Sequence, residues 1–283
     1  MQVAISQKHL KLLIFVLLVI TAFSAHSQSL LSHGFAHNDY WHKRPLYDAL
    51  DNGYSHIEAD IYLRKRKLIV AHVLPFFKKK NTLEQLYFNP LLQSIQGRNK
   101  MPAAPLAPIT LMIDIKSEAD KTYAALEQLM QKYTSILSSY DNGKITYRQV
   151  TVVITGHKPN KTMKAQTSRL AFIDEDLLKV GQDTVSTGVY QTASCKYANL
   201  ITWQGEGEMP AKEKERLCSF ISIAHKNEKK VRLWASPENT SVWQVLLDCG
   251  VDLINTDKLV ALRDFLQAQQ TVFAKNDRAA VSK

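Results

Sequence analysis

Eight short apolar, β-branched runs recur along this chain with longer amphipathic stretches between them. They are LSHGFA (31–36), HIEADI (56–61), ITLMIDIK (109–116), VTVVIT (150–155), LAFIDE (170–175), NLITWQ (199–204), VRLWA (231–235) and DLINT (252–256). Most are continuous rather than alternating, as expected of strands buried on both faces of a parallel sheet. The intervening segments read as helices. The clearest spans residues 120–139, with Tyr123, Leu126, Leu129, Met130, Tyr133, Ile136 and Leu137 on one face and DNG at 141–143 closing it. PLYDALDNG (45–53), Pro210 to Asn227, SVWQVLLDCG (241–250) and Asp257 to Ala268 supply others. The proline-rich stretch from Val73 to Pro108 reads as a short helix plus loops.

Strand and helix in alternation, eight times, predict a (β/α)8 TIM barrel in one domain, and 283 residues suit that size. A doubly wound open sheet usually carries a glycine-rich phosphate turn after its first strand, and none follows here.

The fold is not expected to begin at Met1. Lys8 and Lys11 flank or open the apolar run LLIFVLLVITAF, and Ala25-His26-Ser27 offers small residues for cleavage. Residues 1–27 read as a signal peptide, because the run is about twelve residues and a bilayer span needs roughly 20. The barrel is expected over 28–270, followed by a polar tail over 271–283. The mature chain is then expected to be secreted or periplasmic. Cys195, Cys218 and Cys249 are too few for a disulfide framework and lack metal-ligand spacing. One bridge would leave a third thiol over, and the cysteines are expected to be mostly buried small apolar groups.

The formal charge of +10 favours anionic partners. RKRK (64–67) and KKK (78–80) suit an anion-steering rim or a solvated turn and loop. No aromatic residues interleave with them, so nucleic acid is not an expected partner.

Barrel enzymes place their chemistry at the C-terminal ends of the strands, and this chain's polar residues fall there. His37 and Asn38 end the first run, Glu58 and Asp60 the second, Asp114 and Lys116 the third. Trp234 ends the seventh, and Asn255 and Asp257 the eighth. Glu58 and Asp60 are two apart on a strand and so point to one face. Two carboxylates aimed into one mouth repel each other, which a divalent cation relieves. With Asp114 as a third oxygen ligand and the Asn38 amide as a fourth, the set suits Ca²⁺ or Mg²⁺. YLRKRKLIVAH reads as a hairpin returning His72 to the mouth. His37 and His72 across a held phosphate would form an acid–base pair. Lys116, and Arg232 if it points inward, would add positive charge, with Trp234 and Asn255 as further substrate contacts. His33, His42 and His56 read as structural or exposed.

These motifs, AHNDY, IEADIYL, LIVAH and LMIDIK, resemble the superfamily of phosphatidylinositol-specific phospholipases C and glycerophosphodiester phosphodiesterases. The longer pattern AHNDYWHKRPLYDALDNGYSHIEADI, with RLWASPE and GVDLINTD, is closer to a branch that includes proteins labelled altered inheritance of mitochondria. The likeness covers roughly residues 31–265. It implies His37 and His72 as the catalytic pair, Glu58, Asp60 and Asp114 as metal ligands, and Lys116 as a phosphate contact. Asn38 stands where the glycerophosphodiester branch has Arg, and matches the eukaryotic-type phospholipase C branch, where that Asn binds Ca²⁺. The E-N-T signature of the glycerophosphodiester enzymes is replaced by YWHKRP. The function expected is hydrolysis of an anionic phosphodiester, with peripheral contact to membrane lipid. A binding module on the same barrel is the alternative. A glycosidase fits less well, because acids two apart on one strand are poorly placed for opposite sides of a glycosidic bond.

Overall fold

The computed structural model describes residues 31–74, 81–98, 107–182 and 188–281, with side chains to residue 270. The expected leader and the KKK run lie outside these residues.

The strands are β1 (Leu31–Ala36), β2 (Tyr54–Arg64), β3 (Lys67–Val70), β4 (Ile109–Ile115), β5 (Ser139–Asp141), β6 (Lys144–Thr146), β7 (Val150–Gly156), β8 (Ser168–Arg169), β9 (Ala171–Asp176), β10 (Tyr190–Lys196), β11 (Lys230–Trp234) and β12 (Leu253–Thr256). β1, β2, β4, β7, β9, β10, β11 and β12 pair in parallel in that order, and β12 returns to β1. This is the closed (β/α)8 barrel. The helices are α1 (Tyr47–Asp51), α2 (Asn89–Ile95), α3 (Ala119–Met130), α4 (Asn160–Ala165), α5 (Ala211–Lys226), α6 (Thr240–Asp248) and α7 (Leu259–Val281). α7 takes in most of the segment read as a tail.

Seven of the eight apolar runs are barrel strands. The sixth is not: NLITWQ follows β10 as a turn, with Leu200 and Ile201 buried in the core. The real sixth strand, YQTASCK, is polar in sequence because Thr192 and Ser194 donate inward to the buried Asp174 carboxylate at 2.6 and 2.8 Å. Satisfied hydroxyls can line a core that apolar pattern alone would not reveal.

The helix expected over 120–139 stops at Met130. Glu118 caps its start, accepting from the backbone of Asp120 and Lys121. After a 3-10 turn at Gln131–Tyr133 the chain enters the β5–β6 hairpin, and DNG is that hairpin's turn, with φ of 46° at Asn142 and 90° at Gly143. Asn-Gly suits the primed turn a two-residue hairpin needs. RKRK is likewise a hairpin turn, with positive φ at Lys65 and Arg66, and it joins β2 to β3.

Most of the core lies between strands and helices. Inside the barrel, Phe35, Met112, Val153, Phe172 and Leu253 form a separate apolar layer. His56, on the same face of β2 as Glu58, is buried. Burial, with the charge of Lys230 adding to it, pushes its imidazole down to about 3. The folded value lies below the unfolded one, so the unfolded chain takes up more protons as pH drops below about 6.5, and stability falls. Between pH 6 and pH 4, His56→Gln should lose about 2 kcal/mol less than the native chain in denaturant titrations.

Two cysteines depart from the expectation of buried apolar groups. Cys218 of α5 and Cys249 after α6 form a disulfide across a separation of 31 residues. Cys195 is buried and free, its thiol pushed up to about 12 by burial. Cys218→Ser should cost roughly 3–4 kcal/mol in thermal or denaturant unfolding.

Candidate active site

The C-terminal ends of the strands bring one ligand atom each from Glu58, Asp60 and Asp114 within 4.8 Å of one another. Strand period places the first two: Glu58 and Asp60 share the inner face of β2, and Asp60 lies level with Asp114 of β4 in the pairing register. Gly156 at the end of β7 makes room for the third, because a Cβ there would lie 1.9 Å from Asp114 Oδ1.

Each acid has a different neighbour. Glu58 accepts from Arg232 Nη1 at 2.9 Å and lies 3.4 Å from His37 Nε2. Burial works against its charge, but Arg232 and His37 outweigh that and hold the carboxyl below its usual range. Asp60 pairs with Lys116 at 3.2 Å and with His72 Nδ1 at 3.1 Å. Burial and the charge of Glu58 still raise it. Asp114 pairs with Lys116 at 2.7 Å. Burial, with Asp60 and Glu58 adding to it, pushes Asp114 up to about 6 against the pull of Lys116. Its Oδ1 is buried without a hydrogen-bond partner. Three crowded carboxylates, two of them raised, and one orphaned oxygen are the donor set that suits a hard divalent cation.

The two histidines flank this cluster. His37 Nδ1 donates to Asp257 Oδ1 at 2.7 Å, which leaves Nε2 facing the acids. Burial opposes its protonation, but the Asp257 hydrogen bond and the Glu58 charge raise its pKa above the ordinary value. His72 arrives on the β2–β3 hairpin as expected. Asn38 adopts the left-handed region, with φ of 46°, which Asn tolerates better than most residues. Its amide oxygen, expected as a fourth ligand, accepts from the Tyr40 hydroxyl at 2.7 Å, while its NH₂ donates to Asp257 at 3.2 Å. Asn38 thus ties the first loop together.

Of the other expected substrate contacts, Arg232 and Asn255 are buried and Trp234 is on the rim. Arg232 and Asn255 are only 3% and 4% exposed. The Arg232 guanidinium stacks over Phe35 and donates to Glu58, Asn255 and Ser194. Arg232 thus holds Glu58, and Asn255 holds Arg232. Trp234 is 40% exposed on the rim, with the Lys196 ammonium over its ring.

Two further side chains, left without a role by the sequence pattern, meet the site. Asp257 holds His37 from a strand end 220 residues away, and only the closed barrel brings them together. Tyr40, within AHNDY itself, places its hydroxyl 3.3 Å from His72 Nδ1 as well as on Asn38. Neighbouring Asp39 is buried below the loop, accepting from Leu46 N and the Tyr87 hydroxyl.

Known proteins resemble this chain in sequence or in fold. Proteins labelled altered inheritance of mitochondria protein 6 are 29% identical in Eremothecium gossypii, over 83% of this chain and 69% of that protein. In Saccharomyces cerevisiae the identity is 29%, over 79% and 68%. A calcium-dependent phosphoinositol-specific phospholipase C from a Pseudomonas species superposes with a TM-score of 0.55 at 12% identity, covering 84% of this chain and 94% of that one, which is a likeness of fold. The model of the AIM6-like phosphodiesterase domain matches residues 21–174, more than half of the chain and all of the stretch from His37 to Asp114. With the clustered acids and both histidines inside that match, the chain belongs to the family of AIM6-like phosphodiesterase domains.

Proposed function

We propose that this chain is a secreted, metal-dependent phosphodiesterase. The observation that carries the reading is the cluster of Glu58, Asp60 and Asp114 flanked by His37 and His72, with Asp114 Oδ1 buried and unpartnered. A hard cation held by these three acids would supply charge neutralisation at a non-bridging phosphoryl oxygen. The calcium dependence of the structurally similar phospholipase favours Ca²⁺ over Mg²⁺.

The proton transfers fall to the histidines. Asp257 lies outside the acid cluster, so its carboxylate stays available to steady a protonated His37. That assigns His37 Nε2 as the base taking the proton from water or a substrate hydroxyl. His72 then protonates the leaving oxygen. Lys116, its ammonium between Asp60 and Asp114, meets the phosphate's negative charge.

A lipid head group is the substrate class we favour. Trp41, Val73 and Leu74, beside His72, are 58%, 70% and 42% exposed, and the Trp41 ring centroid lies 5.1 Å from that of His72. Apolar side chains displayed beside a mouth suit peripheral contact with a lipid surface. The Cys218–Cys249 disulfide favours an oxidising compartment, in keeping with the leader read from the sequence.

Hydrolysis of bis(p-nitrophenyl) phosphate tests the reading. Turnover should vanish with EDTA and return with Ca²⁺ or Mg²⁺. Undiminished turnover in EDTA would remove the metal from the mechanism, and no turnover of any phosphodiester in a panel of lipid and glycerol esters would leave a binding module.

A further inference from the structure

The base of the barrel, at the opposite end from the acids, also holds a cavity. It measures about 440 Å³ and is framed by the first residues of six strands, β1, β2, β4, β7, β10 and β11. Val153 of the interior apolar layer forms part of its wall, and that layer separates it from the catalytic mouth.

The inward positions here break the usual rule. Barrel interiors are normally filled by bulky branched residues. This chain instead turns His56, Thr110, Thr151 and Lys230 toward the axis. Lys230 lies on the face of β11 that carries Arg232, and His56 on the face of β2 that carries Glu58. His56 is the buried one of the four, and its Nδ1 meets the Ser55 hydroxyl at 3.2 Å, while Lys230 is exposed and open to a ligand arriving from outside. Lys230 and the Thr110 side chain form no hydrogen bond or ion pair among the described residues. The Gln191 amide oxygen accepts from the Tyr147 hydroxyl at 3.3 Å, which leaves its NH₂ as the end free to donate. No carboxylate is among the described lining residues.

We propose that this basal cavity is a second binding site, for a small oxyanion that carries hydroxyl groups. Lys230 supplies the counter-charge, and Thr110, Gln191 and His56 supply hydrogen bonds. Lys230 is the one Lys or Arg among the described lining residues, which matches a phosphate monoester or a sugar acid better than a polyanion. The volume exceeds what inorganic phosphate fills and falls in the range of small-molecule sites. A ligand there would grip β2 and β11, the two strands whose next inward residues are Glu58 and Arg232. The site stands independently of the catalytic reading.

The test uses the full chain in EDTA, titrated with inorganic phosphate, glycerol 1-phosphate and gluconate by calorimetry, with thermal melting alongside. At least one ligand should bind saturably and raise the melting temperature. A charge-assisted hydrogen bond of the usual strength predicts about tenfold or more weakening in Lys230→Gln. Thr110→Val should weaken binding less, and Lys116→Gln should leave it intact. A Lys230→Gln melting temperature without ligand that equals the native one shows that the variant folds. Preference for glycerol 1-phosphate over gluconate would identify a phosphate ester, and the reverse a carboxylate. No saturable binding, native affinity in Lys230→Gln, or loss of binding in Lys116→Gln would each overturn the proposal, the last by placing the anion at the catalytic mouth.

Discussion

His37→Ala is expected to lower kcat/KM for any phosphodiester by roughly 10³–10⁴-fold, the upper range for loss of a positioned acid–base group. Its Nδ1 is held by Asp257 at 2.7 Å, which aims Nε2 at the acid cluster, 3.4 Å from Glu58. Asp257→Asn should lose about 10²-fold or more, because the ring then loses the carboxylate that steadies its protonated form. His72→Ala separates the two roles. If His72 protonates the leaving oxygen, its loss should matter little for p-nitrophenol, which departs without a proton, and by about 10²-fold or more for an alkyl ester. Equal losses on both esters would contradict that assignment. Steady-state kinetics on the paired substrates read all three variants.

Gly156→Ala should damage the acid cluster without touching a ligand. Gly156 has φ of +72°, and a Cβ there would meet Asp114 Oδ1 at 1.9 Å and the Ile115 carbonyl at 2.7 Å. Neither neighbour is the far end of a flexible chain, so Asp114 must move. The left-handed backbone alone costs about 1–2 kcal/mol, and displacing the carboxylate adds to it. Cation affinity should fall about 10–100-fold, as when a group positioning a ligand is lost. Gly143→Ala is the control: φ is +90° there, but nothing lies within 4 Å. It should pay only the backbone cost in a melt and keep native cation affinity in calorimetry. Equal affinities in the two variants would mean that Gly156 is a turn glycine and nothing more.

The barrel was legible because most of its strands are apolar on both faces. It failed at β10, where Thr192 and Ser194 are inward and satisfied by Asp174, a pairing invisible until β9 and β10 lie side by side. The α3 boundary failed for a related reason: Tyr133, Ile136 and Leu137 keep a helical spacing, yet they are buried after the helix has ended. In the site, Glu58, Asp60 and Asp114 could be read from strand period and strand ends. Depth could not. Arg232 and Asn255 share the inward face with the mouth residues, and only the folded barrel shows them buried, with Arg232 on Glu58 and Asn255 on Arg232. Asp257 was visible at a strand end, but its partnership with His37 depends on β12 closing against β1.

The central claim is that three carboxylates of the barrel mouth hold one hard cation. Calorimetric titration of Ca²⁺ and Mg²⁺ into the chelator-stripped full chain tests it most directly, beside Asp114→Asn. The account predicts one cation per chain, bound through the acids and lost or weakened about 10–100-fold in the variant. No binding by the native chain, or binding that Asp114→Asn leaves unchanged, would contradict it.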